Sequence, residues 1–286
     1  MSHYIIRSLT GSHMSSRRQF LAQTTLGLAA APRLLHAFPL QLPLGFQSYD
    51  VNSQLGSDFE GTCKALAGNG YQLVDYVWLK EKTGKDVRRA FDAAGLKCQN
   101  CHFAWSDLHD GYAATIANAH DLGVNSVVCQ SLSSRAKSAD GWKWHADQLN
   151  ELGEKTKREG ILTGYHNHPT EFKDVDGILP FEVLLSGTDS KLVQMQIDVG
   201  SVAVAGKDPL VYLDKYLDRY FSIHVKDVRD GKIGLAVGEG TLDWPKIFAA
   251  AHKAPLRNYV VETGARPDVV MEKLKQSAEF LRNFRA

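Results

Sequence analysis

Residues 192–228 read LVQMQIDVGSVAVAGKDPLVYLDKYLDRYFSIHVKDV, and they contain two largely apolar runs separated by a helical stretch. The runs at 192–197 and 220–223 are typical of short strands that are buried on both faces. The segment between them, from about Asp208 to Leu217, is predicted to be helical. A strand, a helix and a second strand in this order predict two parallel strands of one sheet, joined by a crossover helix.

The same alternation extends in both directions from this unit. Each predicted strand is followed by a helix, and the helices after the first three strands end at Gly70, Gly95 and Gly123. The predicted strands are 42–51, 71–78, 96–105, 124–131, 161–168, 192–200, 220–228 and 258–263. Eight such units predict a (β/α)₈ TIM barrel, which we place as a single domain over residues 38–286.

A doubly wound open sheet is the alternative arrangement of alternating strands and helices. Such sheets usually carry a glycine-rich first turn that binds a dinucleotide. The first predicted strand instead leads into SYDVNSQLGSD at residues 48–58, which has no GxGxxG pattern. The closed barrel is therefore preferred.

The first 37 residues are predicted to lie outside the barrel. Residues 15–37 place the pair Arg17-Arg18 before a short, mildly apolar run and a small-residue site, which resembles a Tat export signal. The preceding residues 11–14, GSHM, are typical of a cloning scar. We therefore expect a periplasmic or secreted protein. The alternative is a chance arginine pair in a cytoplasmic one.

Charge and apolar length argue against macromolecular or membrane partners. The chain has 33 basic and 32 acidic residues, a net charge of +1, and no basic run that favours a nucleic acid. Beyond the N-terminal run, no stretch is long and apolar enough to cross a bilayer. A small-molecule partner is expected, with no nucleic acid and no membrane.

Polar side chains, most of them titratable, follow most of the predicted strands. Active sites of (β/α)₈ barrels lie at the carboxyl ends of the strands, so these side chains are candidates for chemistry. At the predicted ends stand Asp75, His102, Gln130, His166, His168, Asp198, His224, Lys226 and Glu262.

Asp198, His224 and Glu262 each follow directly on a buried stretch of strand. A buried carboxylate needs a positive partner, and one divalent metal shared with a strand-five histidine would serve all three residues. This nitrogen and oxygen ligand set suits Mn²⁺, Zn²⁺, Fe²⁺ or Co²⁺. The alternative is a set of separate ion pairs, such as Asp198 with Lys226.

Five motifs resemble the sugar phosphate isomerase/epimerase family, the xylose isomerase-like barrels. This family includes inosose dehydratases, ketose 3-epimerases and dehydroshikimate dehydratases. The motifs are GYHNHPTEF at 164–172, QIDVG at 196–200, IHVKD at 223–227, VGEGTLDW at 237–244 and VVET at 260–263.

The resemblance implies one divalent metal held by residues from strands five to eight. The implied ligands are His166, Asp198, His224 and Glu262. His168, two residues after His166, is the alternative strand-five ligand or a substrate contact. In the epimerases the ligands from strands five and eight are both glutamates, and each serves one face of the sugar. A histidine at the strand-five position favours a one-base reaction, either isomerisation or elimination next to a carbonyl.

The predicted function is that of a metal-dependent isomerase or epimerase that removes a proton next to the carbonyl of a sugar or keto-sugar. Glu262 or His168 is the expected base, and Lys226 or His102 is expected to orient oxygens or act as the acid. The alternative role of Lys226 is only to balance the negative charges of Asp198 and Asp227. Further expected substrate contacts are Glu171, Gln130 and Glu239, the last of which otherwise only shapes a turn.

Three other functions stay open at this level. A lyase, dehydratase or hydrolase would act on a 3-keto-sugar or glycoside with the same groups. A non-catalytic barrel would bind a sugar without turning it over. An apurinic endonuclease would need several zinc ions and a basic DNA-binding face, which the balanced charge does not favour.

Overall fold

The computed structural model describes residues 38–80 and 82–285, so the expected export signal at 15–37 lies outside the described residues. The strands form a closed barrel in the order β1 to β8, with all neighbouring strands parallel and β8 paired with β1. The predicted (β/α)₈ fold is therefore confirmed. The strands are β1 Leu44–Gln47, β2 Leu73–Val77, β3 Lys97–Ala104, β4 Ser126–Ser131, β5 Leu162–His166, β6 Val193–Asp198, β7 Tyr220–Val225 and β8 Asn258–Val261.

Helices surround the barrel and follow each strand. Within the described residues they are α1 Asn52–Ser57, α2 Phe59–Gly68, α3 Gly84–Ala94, α4 Trp105–His109, α5 Tyr112–Leu122, α6 Ala139–Arg158, α7 Pro180–Gly187, α8 Val199–Val204, α9 Pro209–Lys215, α10 Trp244–Ala251 and α11 Val270–Asn283. No helix in this part of the chain has the length and apolarity needed to span a bilayer.

Three short helices, α1, α4 and α8, were not predicted from the sequence. The first predicted strand is too long because its last four residues form a 3₁₀ turn, Ser48–Val51, which the Gln47 side chain caps. The sixth is too long because the Asp198 side chain accepts from Ser201 N and starts α8. Both differences lie at the carboxyl ends of strands, where local capping competes with continued strand pairing.

The barrel interior contains a buried chain of polar side chains as well as apolar ones. Gln196 Nε2 lies 3.1 Å from Ser222 Oγ, and Ser222 Oγ donates to Asn258 Oδ1 at 2.7 Å. Asn100 Nδ2 also donates to Asn258 Oδ1, at 3.2 Å. These hydrogen bonds offset the cost of burying polar groups in the interior, although Gln196 Oε1 has no partner among the described residues. This series of hydrogen bonds fixes Gln196 below the carboxyl end of the barrel.

Candidate active site

His224, on β7, lies at the centre of the titratable cluster. Its Nε2 is 2.8 Å from Asp75 Oδ2, and its Nδ1 is 2.7 Å from Glu262 Oε2. Burial alone would lower the pKa of His224, but the hydrogen bonds to Asp75 and Glu262 raise it to about 9. An imidazole with a carboxylate oxygen at each nitrogen donates from both, so His224 is an imidazolium in this arrangement.

Asp75, on β2, gathers three buried side chains. Gln196 Nε2 donates to Asp75 Oδ2 at 2.7 Å, beside the His224 contact. His102 Nε2 on β3 lies 3.1 Å from Asp75 Oδ1, without the alignment of a hydrogen bond. Burial opposes ionisation of Asp75, but His102 and His224 hold its pKa well below the usual range. Asp75 is therefore an anion that fixes His224.

His166, the last residue of β5, packs against the other histidines. Its ring centroid is 4.5 Å from that of His224 and 5.2 Å from that of His102. Burial, followed by the neighbouring His224 and His168, holds the pKa of His166 well below its ordinary value. Its Nδ1 is buried and has no hydrogen-bond partner among the described residues. His166 is thus a neutral imidazole with an unused polar atom.

His166, His224 and Glu262 fit a divalent metal once His224 loses the proton that it donates to Glu262, because only a deprotonated ring nitrogen binds a metal. One ligand atom each from His166, His224 and Glu262 lie within 4.8 Å of one another. A buried polar atom without a partner is unfavourable, and a cation at His166 would satisfy it. Asp75, on the other nitrogen of His224, corresponds to the carboxylate that commonly orients a metal-ligating histidine. A second close group, Asp75, His102 and His224, shares His224 with the first.

Asp198, at the end of β6, is not in either close group, although it was predicted as the fourth ligand. Its Oδ1 accepts from Ser201 N at 3.1 Å. Its Oδ2 accepts from Ser201 Oγ at 2.5 Å and from Lys226 Nζ at 2.6 Å. The structure therefore brings three of the four predicted ligands together and places the fourth in the ion pair that was its alternative.

Lys226 joins two carboxylates. Its Nζ is 2.6 Å from Asp198 Oδ2 and 2.6 Å from Glu262 Oε1. Burial would lower the pKa of Lys226, but Asp198 and Glu262 raise it, so the ammonium is charged. Glu262 is consequently bonded at both oxygens. Burial would raise the pKa of Glu262, but Lys226 and His224 outweigh burial and hold the pKa well below normal. Glu262 is ionised but not free.

His168 follows β5 and is the accessible histidine of the group, with 46% of its side chain exposed. Its Nδ1 lies 3.4 Å from Glu171 Oε1. Glu171 also accepts from Tyr165 Oη at 2.6 Å, Thr170 Oγ1 at 2.7 Å and His168 N at 3.1 Å. Burial opposes protonation of His168, but Glu171 raises its pKa. The buried Glu171 thus holds the ring of an exposed histidine.

Two expected substrate contacts occupy other surroundings. Glu239 accepts from Ala236 N at 2.8 Å, and both its oxygens lie 2.7 Å from Lys273 Nζ on α11. It therefore ties the loop after β7 to the last helix. Gln130 is half-buried near the end of β4, and its side chain has no hydrogen-bond partner within the described ranges. Substrate contacts by these residues stay predictions.

Sequence reasoning missed three residues that position the cluster. Asn167 bonds both Asp198 N and Asp198 O through its side-chain amide, at 3.0 and 3.2 Å. Asp50 accepts from the Thr263 and Gly264 backbone nitrogens at 2.5 and 3.0 Å, which fixes the chain after Glu262. The third is Gln196, described above. Asn167 could have been found from its place between two candidate histidines.

Comparison with known proteins identifies a barrel family and several similar dehydratases. A family model described as Xylose isomerase-like TIM barrel matches residues 63–284. An inosose dehydratase of Clostridium beijerinckii is 26% identical over 217 residues, which are 65% of this chain and 70% of that protein. The matching regions span 66% or less of seven further inosose dehydratases.

Two solved structures share the architecture. A sugar phosphate isomerase/epimerase of Parabacteroides distasonis superposes with a TM-score of 0.75 at 26% identity, covering 84% of this chain and 93% of that one. The IolI protein, solved with a bound zinc atom, has a TM-score of 0.59 at 16% identity, covers 83% and 96%, and shows the shared fold alone. The closed barrel and the match over residues 63–284 place the chain in the xylose isomerase-like TIM barrel family.

Proposed function

We propose that this protein is a divalent-metal-dependent lyase that removes water from a polyhydroxy ketone such as a keto-sugar. The observation that supports this proposal is that the two candidate bases, Glu262 and His168, differ in how accessible they are. Both oxygens of Glu262 are bonded, to Lys226 and His224, whereas His168 is exposed and held by Glu171. One accessible base suits removal of a proton next to a carbonyl followed by loss of a neighbouring hydroxyl.

His166, His224 and Glu262 are the proposed metal-holding residues. The unpartnered Nδ1 of His166 and the carboxylate behind His224 support this assignment. A divalent cation held there supplies Lewis-acid polarisation of the substrate carbonyl.

His168 is proposed to move the proton. The neutral ring takes the proton from the carbon next to the carbonyl, and the Glu171 carboxylate stabilises the imidazolium that forms. The carbon–oxygen bond to the neighbouring hydroxyl then breaks. The imidazolium returns its proton to this leaving group, which departs as water and leaves His168 neutral.

Lys226 is proposed to stabilise charge rather than to accept a proton. Its pKa is raised by Asp198 and Glu262, so it is charged at any working pH. A fixed ammonium at the strand ends favours the negative charge that develops on the substrate carbonyl oxygen during proton removal.

Isomerisation or epimerisation is the second candidate, because the similar Parabacteroides distasonis protein is a sugar phosphate isomerase/epimerase. Isomerisation needs the same single base. Epimerisation needs a second base on the opposite face of the sugar, and Glu262 could serve only after losing a hydrogen-bond partner. The lyase therefore accounts for the arrangement with fewer changes.

Product analysis in deuterated water tests the proposal. The protein, loaded with Mn²⁺, Co²⁺ or Zn²⁺, is incubated with inososes and 3-keto-sugars, and the products are analysed by NMR and mass spectrometry. The lyase predicts a product that has lost water. Deuterium in a product of unchanged composition supports the isomerase instead, and a bound sugar without either change rejects both reactions.

Export by the Tat pathway is a separate proposal, carried by Arg17 and Arg18. An exported enzyme would meet free sugars or glycosides rather than sugar phosphates. We expect a lysine pair at positions 17 and 18 to keep the protein in the cytoplasm of a Tat-competent bacterium. Equal periplasmic amounts of the two forms would contradict export by this route.

A further inference from the structure

The side chain of Lys226 packs against the backbone at Gly200, which has no side chain of its own. A side chain at Gly200, two residues after Asp198, would lie 2.7 Å from Lys226 Cβ, Cγ and O. Only a glycine at this position allows the lysine stem to run past the start of α8 to the two carboxylates. The contacts of Lys226 with Asp198 and Glu262 therefore depend on the backbone at the start of α8 and are not those of a loose surface side chain.

Asp198 is held by its own segment from several directions. Its backbone N and O are both bonded to Asn167. Its carboxylate caps the first turn of α8 through Ser201 N, and the same carboxylate bonds Ser201 Oγ and Lys226. A carboxylate offers about four lone-pair positions, and three of them are used here. Swinging this group to another partner would break a helix cap.

His166 has the opposite character, whereas His224 and Glu262 are bonded to each other and to Asp75 and Lys226. His166 Nδ1 has no partner among the described residues, and the ligand atoms of His166, His224 and Glu262 already lie within 4.8 Å of one another. Catalytic metal sites frequently use three protein ligands and leave the other positions for substrate. The charged Nζ of Lys226 lies between Glu262 and Asp198, where it repels a cation that approaches Asp198.

We infer that Lys226 takes the place of the metal on Asp198, so that this chain holds its cation through His166, His224 and Glu262 alone. This inference rests on the proposed metal-dependent function. It assigns Asp198 as the anchor of the lysine and the cap of α8.

Metal affinity tests the inference directly. The chelator-treated protein is titrated with Co²⁺, and the dissociation constant is measured by calorimetry with the visible absorption spectrum as a report of coordination. His166→Ala should weaken Co²⁺ binding by about a hundredfold or more. Asp198→Asn should change the dissociation constant by less than about threefold. A loss with Asp198→Asn equal to that with His166→Ala would overturn the inference and leave the metal-dependent function standing.

Lys226→Met supplies the converse test, because it keeps the length of the stem and removes the charge. We expect it to tighten Co²⁺ binding by about tenfold or more and to change the absorption spectrum, as Asp198 becomes available. Adding Asp198→Asn to Lys226→Met should reverse both changes. No tightening in a folded Lys226→Met protein would count against the inference.

Ser201→Ala is the matched control. It frees Asp198 from one hydrogen bond but leaves the ammonium in place, so Co²⁺ affinity should stay at the wild-type value. Tightening equal to that of Lys226→Met would show that mobility of Asp198 matters and not the lysine charge, which would overturn the inference. If Lys226→Met does not fold, the comparison of Asp198→Asn with His166→Ala decides. Absence of Co²⁺ binding by the wild-type protein would remove the proposed function itself.

Discussion

The exposed ring of His168 lies against the buried carboxylate of Glu171, with Nδ1 3.4 Å from Oε1. Three other donors, Tyr165 Oη, Thr170 Oγ1 and His168 N, fix this carboxylate. The position of the glutamate is therefore set before any substrate arrives. A histidine held in this way keeps one nitrogen facing the carboxylate and the other available for proton transfer.

His168→Gln should lower kcat by roughly 10²–10⁴-fold, because a positioned general base contributes about that factor. The metal content, measured by mass spectrometry of the purified protein, should stay unchanged. His252→Gln is the matched control, since His252 is exposed at the end of α10. Unchanged kcat in His168→Gln would assign the proton transfer to another group.

Glu171→Gln should shift the pH dependence of the reaction. Burial alone would lower the pKa of His168, and Glu171 raises it above the ordinary value. Without the negative charge the pKa falls, so the neutral base persists to lower pH and the acidic limb of the kcat/KM profile moves to lower pH. The profile is measured with wild-type protein beside the variant. An unmoved acidic limb would mean that this limb does not report His168.

His166→Ala and His168→Ala separate the two strand-five histidines. His166 is buried with an unpartnered Nδ1, whereas His168 is exposed and bonded to Glu171. We expect metal to be lost from His166→Ala and retained by His168→Ala, with both proteins folded by circular dichroism. The reverse pattern would make His168 the ligand and remove it as the base.

The barrel and most of the cluster could be predicted because parallel strands in a closed barrel end at one face. Any titratable residue at the carboxyl end of β2, β3, β5, β6 or β7 is then near the others, whatever the exact strand lengths. The motif at residues 164–172 also carried a local signal for Glu171. Proline follows His168 and glutamate comes two residues after the proline, which is the pattern of a capped turn.

The partner of Asp198 could not be predicted in the same way. A four-carbon lysine stem two residues beyond His224 can reach several carboxylates, and distances between strand ends decide which one it bonds. Here the Nζ of Lys226 reaches Asp198 and Glu262 at equal distance. The sequence is compatible both with a shared metal and with an ion pair between Asp198 and Lys226. The spacing of these residues along the chain does not distinguish the two arrangements.

The metal-free protein should lose stability as the pH rises through about 9. The hydrogen bonds to Asp75 and Glu262 overcome burial and raise the pKa of His224 from its ordinary 6.5 to about 9 in the folded state. The stabilisation is therefore fully present below pH 6.5 and is lost as pH rises through 9, by on the order of 3 kcal/mol. Urea unfolding with a chelator at pH 6 and pH 9.5 measures it. His224→Gln should reduce the difference, and an equal difference in both proteins would assign it to other groups.

Asp75→Asn should weaken metal binding although Asp75 is not proposed as a ligand. The carboxylate accepts from His224 Nε2 at 2.8 Å and from Gln196 Nε2 at 2.7 Å, so it fixes the ring whose Nδ1 faces Glu262. An asparagine keeps the size but loses the charge and one acceptor, and loss of such a partner typically weakens metal binding by about 10–100-fold. Co²⁺ titration measures the change.

Ser222→Ala, which removes the next hydrogen-bonding group after Gln196 in the barrel interior, is the control for general loosening of the interior. An equal loss in both variants would show that packing of the interior, and not the Asp75–His224 pair, determines the affinity.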